Sequence, residues 1–183
     1  MRVVAGELRG RRIAAPPGLD TRPTTDKVRE AVFNALGSLD LVRDATVADL
    51  FAGSGALGIE ALSRGAAHCT FVERDRTALR TLRDNVADLG LDDRSRIVAG
   101  DALVMVRGLA VDIALADPPY DFDRWPELLA STSSPFVVAE AGRALDGLEG
   151  ITEWAVTRAK RYGRAWITFF ERLEHGGIID DVD

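Results

Sequence analysis

From residue 46 onward, short apolar runs take turns with stretches in which apolar residues recur every three or four positions. Residues 46–51 read as a buried strand and 56–64 as a helix ended by Gly65. Residues 68–73 form the next strand. The helix at 76–89 puts Leu79, Leu82, Val86 and Leu89 on one side and stops at Gly90. Strands at 96–99, 111–116 and 135–139 follow, with a short helix after Asp101. This alternation predicts βαβ units, hence an α/β, Rossmann-like fold with a mainly parallel sheet covered on both faces. The end differs: 153–158 and 164–171 both read as strands around Tyr162-Gly163, a C-terminal β-hairpin. At the start, residues 2–15 set short apolar pairs around Gly6 and Gly10, the pattern of a small hairpin or arm. After Pro16-Pro17-Gly18, a helix from Thr25 gathers Val28, Ala31, Val32, Ala35 and Leu36 on one face and reaches a stop at Gly37. The expected division is therefore an N-terminal basic arm and helix at 1–37 and one α/β domain at 38–183, with a fraying tail after His175.

A chain of 183 residues, 46% of them hydrophobic, suffices for one packed α/β domain with a small appendage. No apolar run approaches the roughly 20 residues of a membrane span. The opening residues lack the apolar stretch of a secretory signal, and the lone Cys69 cannot pair within the chain, so a cytoplasmic monomer is expected. The net charge of −6 is unevenly spread. Residues 1–29 carry seven basic side chains (among them Arg2, Arg9, Arg11, Arg12 and Arg22) against three acidic ones, while the remainder holds 16 basic and 26 acidic. A second basic run without acids spans Arg158-Ala159-Lys160-Arg161-Tyr162-Gly163-Arg164. Such segments on an acidic body suit a polyanion-facing surface; they equally suit ordinary solvated segments, and charge alone leaves both open.

Three motifs carry chemistry. The strand Val47-Ala48-Asp49-Leu50-Phe51 runs into Ala52-Gly53-Ser54-Gly55-Ala56-Leu57-Gly58 and then into a helix. Glycines at such a turn let a ligand approach the backbone. Glu73 closes the second strand, where a carboxylate can accept from both hydroxyls of a ribose, and Arg74 follows it. Gly100-Asp101-Ala102 ends the third strand and completes such a pocket, Asp101 being placed to accept from an adenine amino group or simply to cap a helix. These features find a nucleoside without choosing between NAD and S-adenosylmethionine. The choice comes from Asp117-Pro118-Pro119-Tyr120 directly after the fourth strand. Two prolines stiffen the loop and remove two N–H donors. A carboxylate beside an outward carbonyl then offers two acceptors to an NH₂ group, and the ring can stack on a flipped-out base. The expected reaction is transfer of the sulfonium methyl of S-adenosylmethionine to an exocyclic amino nitrogen, leaving S-adenosylhomocysteine, by positioning and electrostatics and without a metal. Cys69, inside a strand, reads as core, as do Trp125, Trp154 and Trp166; His68 and His175 have no catalytic company.

Over nearly its whole length the sequence resembles the RsmD family, bacterial enzymes that methylate guanine N2 in small-subunit ribosomal RNA. The resemblance rests on Arg2-Val3-Val4-Ala5-Gly6 with Arg9-Gly10-Arg11, on Arg22-Pro23-Thr24 with Val28-Arg29-Glu30-Ala31-Val32-Phe33-Asn34, and on Asp49 to Ala61, Phe71-Val72-Glu73 and Asp117 to Tyr120. The arginine–proline–threonine block is the most discriminating. The resemblance implies a seven-stranded class I methyltransferase sheet whose last strands form the C-terminal hairpin. It implies that Asp49, the glycine loop (Gly53, Ser54, Gly55) and Glu73 hold the cofactor, that Asp117, Pro118, Pro119 and Tyr120 hold the guanine, and that Arg22 and Thr24 line the cofactor mouth or target entrance. It also implies an arm engaging 16S ribosomal RNA through Arg2, Arg9, Arg11 and Arg12, in an assembling or assembled small ribosomal subunit. Phe51 stands where the wider methyltransferase pattern often has a glycine, as is normal in this family. Two other readings compete. A small NAD-dependent oxidoreductase suits the glycine spacing but leaves Asp117 to Tyr120 unexplained and lacks a proton relay. A catalytically silent RNA-binding assembly factor would keep the fold.

Overall fold

The computed structural model describes residues 1–16 and 25–173. Its elements run α1 (Thr25–Ser38), β1 (Thr46–Asp49), α2 (Ala56–Ser63), β2 (His68–Glu73), α3 (Arg76–Asp88), β3 (Ser95–Ala99), α4 (Ala102–Met105), β4 (Ile113–Ala116), α5 (Trp125–Ser131), β5 (Phe136–Ala141), β6 (Trp154–Tyr162) and β7 (Ala165–Arg172). All seven strands join one sheet in the order β3-β2-β1-β4-β5-β7-β6. The first five are mutually parallel; β7 runs antiparallel to β5 and β6 antiparallel to β7.

Side-chain alternation along the strands splits the core into two layers. On one face Val47, Cys69, Phe71, Ile113, Leu115 and Val138 meet Phe33 and Leu36 of α1, Ile59 and Leu62 of α2, and Leu82 and Val86 of α3. On the other, Ala48, Val72, Ala114, Ala116, Val137 and Ala139 pack beneath Leu103 of α4 and Trp125, Leu128 and Leu129 of α5. This is the doubly covered α/β sheet expected from the sequence. The chain leaves β1 toward β2 and β3, then returns to the far side of β1 as β4. The reversal opens a crevice at the carboxyl ends of β1 and β4, the usual ligand position in such sheets.

The structure corrects several local readings. The first strand ends at Asp49, and Leu50–Phe51 already turn. Helix α1 runs through Gly37 to Ser38. Helix α5 is additional, and β6 extends to Tyr162 because it pairs with β7 over its length. The arm is barely a hairpin: a single bridge joins Arg2 to Arg12, flanked by Val3 N–H donating to Arg11 O at 3.0 Å. What fixes it is packing, with Val3 and Ile13 wholly buried against α1 and α2.

Candidate functional site

The carboxyl ends of β1, β2 and β4 surround a cleft of about 620 Å³, within the roughly 300–1,000 Å³ usual for small-molecule sites. Its first wall is the β1–α2 turn. Gly53 adopts φ +54°, and a Cβ there would meet no atom within 4 Å, so the backbone borders open space. Gly55, at φ +83°, has no such room: a Cβ would lie 2.5 Å from Leu82 Cδ1. Gly58 lets α2 lie on β2, since a Cβ would sit 2.3 Å from the Phe71 ring and 2.5 Å from Cys69 Sγ. The three glycines thus face ligand space, α3 and β2 in turn.

Glu73 organises that turn. Its Oε2 accepts from Gly53 N–H at 2.8 Å, and its Oε1 from the N–H groups of Arg74 and Asp75 at 2.7 Å each. A carboxylate offers about four lone-pair sites, so one on Oε2 is left for a ligand hydroxyl. Asp101 caps α4 by accepting from Leu103 N–H at 3.0 Å while lining the cleft. Arg74 Nη1 lies 3.5 Å from its Oδ2, a solvent-exposed pair of little energetic weight. Both sequence readings of Asp101 are therefore compatible.

Asp49 is the electrostatic focus. It is 1% exposed, and its Oδ2 accepts from Gly58 N–H at 3.0 Å, whereas the buried Oδ1 has no partner. Burial pushes its carboxyl up to about 7; the Gly58 N–H pulls the other way, and the charges of Asp117 and Glu73 add to the rise. A buried acceptor left orphaned at a cleft wall is what a cationic or N–H-bearing ligand would satisfy.

The opposite wall is the loop after β4. Asp117, Pro118 and Pro119 line the cleft, joined by Phe51, Phe122 and Asp123. Phe122 stands edge-on between Phe51, with centroids 5.3 Å apart, and Trp125, at 5.0 Å, which ties the loop to the turn after β1 and to α5. Tyr120, 43% exposed, does not line this cleft. It borders an adjoining recess of about 250 Å³ with Pro119, Trp125 and Arg143.

Several contributors were not legible as such. Arg29, counted among the basic residues of the arm region, is buried and lines the cleft instead. Its Nε donates to Glu60 Oε2 at 3.3 Å, and its Nη2 donates to Asp26 Oδ1 at 2.9 Å and to the Arg2 carbonyl. Glu60, fully buried, also accepts from Val4 N–H at 2.8 Å, Ala5 N–H at 3.0 Å and Arg64 Nε at 2.7 Å. Asn85 of α3 completes the clamp: it exchanges hydrogen bonds with Ala14 and donates to Ser54 O at 2.9 Å. The arm is thereby fastened to the glycine turn, and Met1, Ala15 and Pro16 line the cleft. The side chains read as RNA contacts, Arg2, Arg9, Arg11 and Arg12, are all exposed on it. Arg2 Nη1 donates to Gly10 O at 2.7 Å and Arg11 Nη2 to Asp88 O at 2.9 Å. Arg22 and Thr24 lie outside the described residues. Phe51, Gly53, Ser54, Glu73, Arg74, Asp101 and Ala102 all reach the cleft, whereas Gly55 supports it from behind. Among the described residues no cluster of three His, Cys, Asp or Glu side chains could hold a metal, and no helix is long and apolar enough to cross a membrane.

Comparison with known proteins bears on this cleft. The family described as conserved hypothetical protein 95 matches residues 1–171. YlbH of Bacillus subtilis (strain 168) is 37% identical over 185 residues, covering 94% of this chain and 99% of its own. Ribosomal RNA small subunit methyltransferase D of Escherichia coli (strain K12) is 34% identical over 187 residues, covering 96% and 92%. Among solved structures, yhhF of Escherichia coli superposes with a TM-score of 0.82 at 34% identity, over 94% of this chain and 97% of that one.

Proposed function

The chain belongs to the RsmD/YlbH family of S-adenosylmethionine-dependent methyltransferases, and from that premise we propose that it methylates the exocyclic N2 of a guanine in 16S ribosomal RNA. One observation carries the reading: a single cleft is lined by the Gly53 turn with Glu73 and, across the β1–β4 reversal, by Asp117-Pro118-Pro119. Nucleoside-binding and amine-accepting groups thus face the same space. The residues fit S-adenosylmethionine, because Gly53 leaves its backbone open and Asp49 Oδ1 lacks a partner.

The bound cofactor would supply an electrophilic methyl on a sulfonium. The remaining lone pair of Glu73 would accept from a ribose hydroxyl, Asp101 from the adenine amino group, and Asp49 would take the cationic end. Asp117, with a carbonyl of the proline-stiffened loop, would accept hydrogen bonds from both N–H groups of the target amine and so hold its nitrogen lone pair toward the cleft. The exposed arginines of the arm supply phosphate contacts to the RNA of an assembling or assembled small subunit.

Mass mapping of small-subunit ribosomal RNA from cells with and without this protein tests the reading. A methyl group on one guanine, present only with the protein, is expected; identical maps together with binding of NAD in place of S-adenosylhomocysteine would establish the oxidoreductase instead. Binding of S-adenosylhomocysteine without any change in the maps would favour the silent assembly factor.

A further inference from the structure

We infer that the β6–β7 hairpin, together with Arg143, grips the phosphates of the RNA strand on one side of the target base. The inference rests on the proposed function for the position of that base and extends it to a second surface, separate from the arm.

Strand register supplies the geometry. Ala116, the last residue of β4, pairs with Ala139 of β5. Ala141, at the end of β5, pairs with Trp166, and Trp166 in turn pairs with Arg161. The rim that carries Asp117 to Tyr120 after β4 therefore continues through Gly142-Arg143 after β5 to the Gly163-Arg164 turn. Strands lie about 4.8 Å apart, so the three steps from β4 to β6 place that turn about 14 Å along the rim. A stacked strand at roughly 3.4 Å per nucleotide covers this with about four nucleotides.

Charge follows the same line. Strand β6 is the sheet edge, and Arg158, Lys160, Arg161 and Arg164 are exposed on it and its turn, with no acid from 154 to 170. Glu153, just before the strand, is taken up by Arg172 at 2.8 Å at the far end of the hairpin. Arg161 Nε donates to Gly163 O at 2.9 Å and Arg143 Nη1 to Ala144 O at 3.4 Å, both neutral acceptors in their own turns, so their charges stay available to an anion. Beside the target loop lies the recess bordered by Tyr120 and by Arg143, which follows β5, the strand between β4 and the hairpin. It offers a ring face to a base beside the target and a guanidinium to its phosphate. A basic edge strand has an ordinary alternative use, which is to block pairing with another sheet.

Binding of total ribosomal RNA from cells lacking the protein, across a potassium chloride series, separates the two uses. Each lost single-strand phosphate contact flattens the log–log salt slope by about 0.7, so the triple variant R143Q/R161Q/R164Q should lose about 2. The triple lysine variant keeps the charges and should keep the slope, and S-adenosylhomocysteine affinity should match in all three proteins. The single variants R161Q and R164Q, each expected to lose about 0.7, repeat the measurement should the triple variant fold poorly. Wild-type slope and affinity in the glutamine variants would overturn the grip and leave the basic edge as a guard against pairing. Methyl incorporation into the same RNA by the unaltered protein reports separately on the proposed function.

Discussion

The two walls of the cleft are built on opposite plans. On the β1–β2 side, the carboxylates are locked by backbone: the half-buried Glu73 accepts three N–H bonds, and Asp49 is withdrawn from water with one oxygen unpaired. On the β4 side, the chain itself is stiff while its groups remain accessible, with Asp117 half-buried, Pro119 exposed and Tyr120 outside the cleft. A wall for a small ligand of fixed shape can be completed during folding. A wall for a base that arrives attached to a polymer must stay open and still hold its acceptors in place, which two prolines achieve without covering them. The first wall stores electrostatic cost in the fold; the second stores little.

The largest expected effect tests that stored cost. The folded-state carboxyl of Asp49 sits at about 7 against an ordinary 3.8. Its protonated form is therefore favoured by folding, and the contribution to stability is present at low pH and lost as pH rises through 7. The full loss is on the order of 4 kcal/mol. Asp49→Asn keeps an acceptor for Gly58 and carries no charge. In denaturant titrations it should be more stable than wild type above pH 7, with the gap closing as pH falls toward 4, while its S-adenosylmethionine affinity drops. Equal stability of the two proteins at pH 8 would show that the buried carboxyl carries no such cost.

The next effect belongs to the other wall. Asp117→Ala removes a transition-state acceptor and should lower turnover about a hundredfold, or roughly 3 kcal/mol. S-adenosylhomocysteine affinity should stay within about tenfold, because the carboxylate is assigned to the target amino group. If calorimetry showed cofactor binding collapsing while turnover at saturating cofactor persisted, the assignment of the two walls would have to be exchanged.

This division was legible in the sequence where signals are local. Strand β2 was readable to the residue, because an apolar run ends at an acid, and the glycines announced a turn in which Gly53 and Gly55 take left-handed conformations and Gly58 lets α2 lie close on β2. Helix α5 was not readable. Its seven residues give under two turns, and Pro126, acceptable in a first turn, looks like a breaker in sequence. The polar residues of β6 beyond Arg158 show no alternation, since an edge strand needs none. The clamp on the arm was invisible for a different reason. Glu60 meets Val4 and Ala5 across 55 and more residues, and nothing near Arg29 reveals that it is buried rather than offered to RNA. Removing the arm would strip Glu60 and Arg29 of partners, so its role is better tested at the exposed Arg9 and Arg12 than by truncation.

A smaller change is expected at Glu73. Because three of its lone pairs already serve the turn, Glu73→Ala removes one ligand hydrogen bond to a charged acceptor, about 2 kcal/mol of cofactor affinity. Glu73→Gln should recover part of this, since its carbonyl oxygen can still accept. Thermal melting should fall as well in the alanine variant, where Gly53, Arg74 and Asp75 lose their common acceptor. Unchanged affinity for S-adenosylhomocysteine in a well-folded alanine variant would move the ribose elsewhere along the wall.

Tyr120 sharpens the boundary of the target wall, and its effect should be the smallest. The ring borders the outer recess with Arg143, while the main cleft is lined by the residues on either side of it in sequence. Stacking on a base is worth about 1–3 kcal/mol, and a partly exposed ring belongs at the lower end. If Tyr120 stacks on a neighbour of the target, Tyr120→Ala raises KM for RNA about fivefold, by about 1 kcal/mol, and leaves kcat and cofactor affinity alone. Tyr120→Phe keeps the ring and should behave as wild type. A ring that instead turns into the cleft to hold the target base during transfer would act on kcat, and alanine would then lower turnover at saturating RNA. Steady-state kinetics of the two variants therefore decide whether the open wall ends at Pro119 or continues, through Tyr120, toward the basic hairpin.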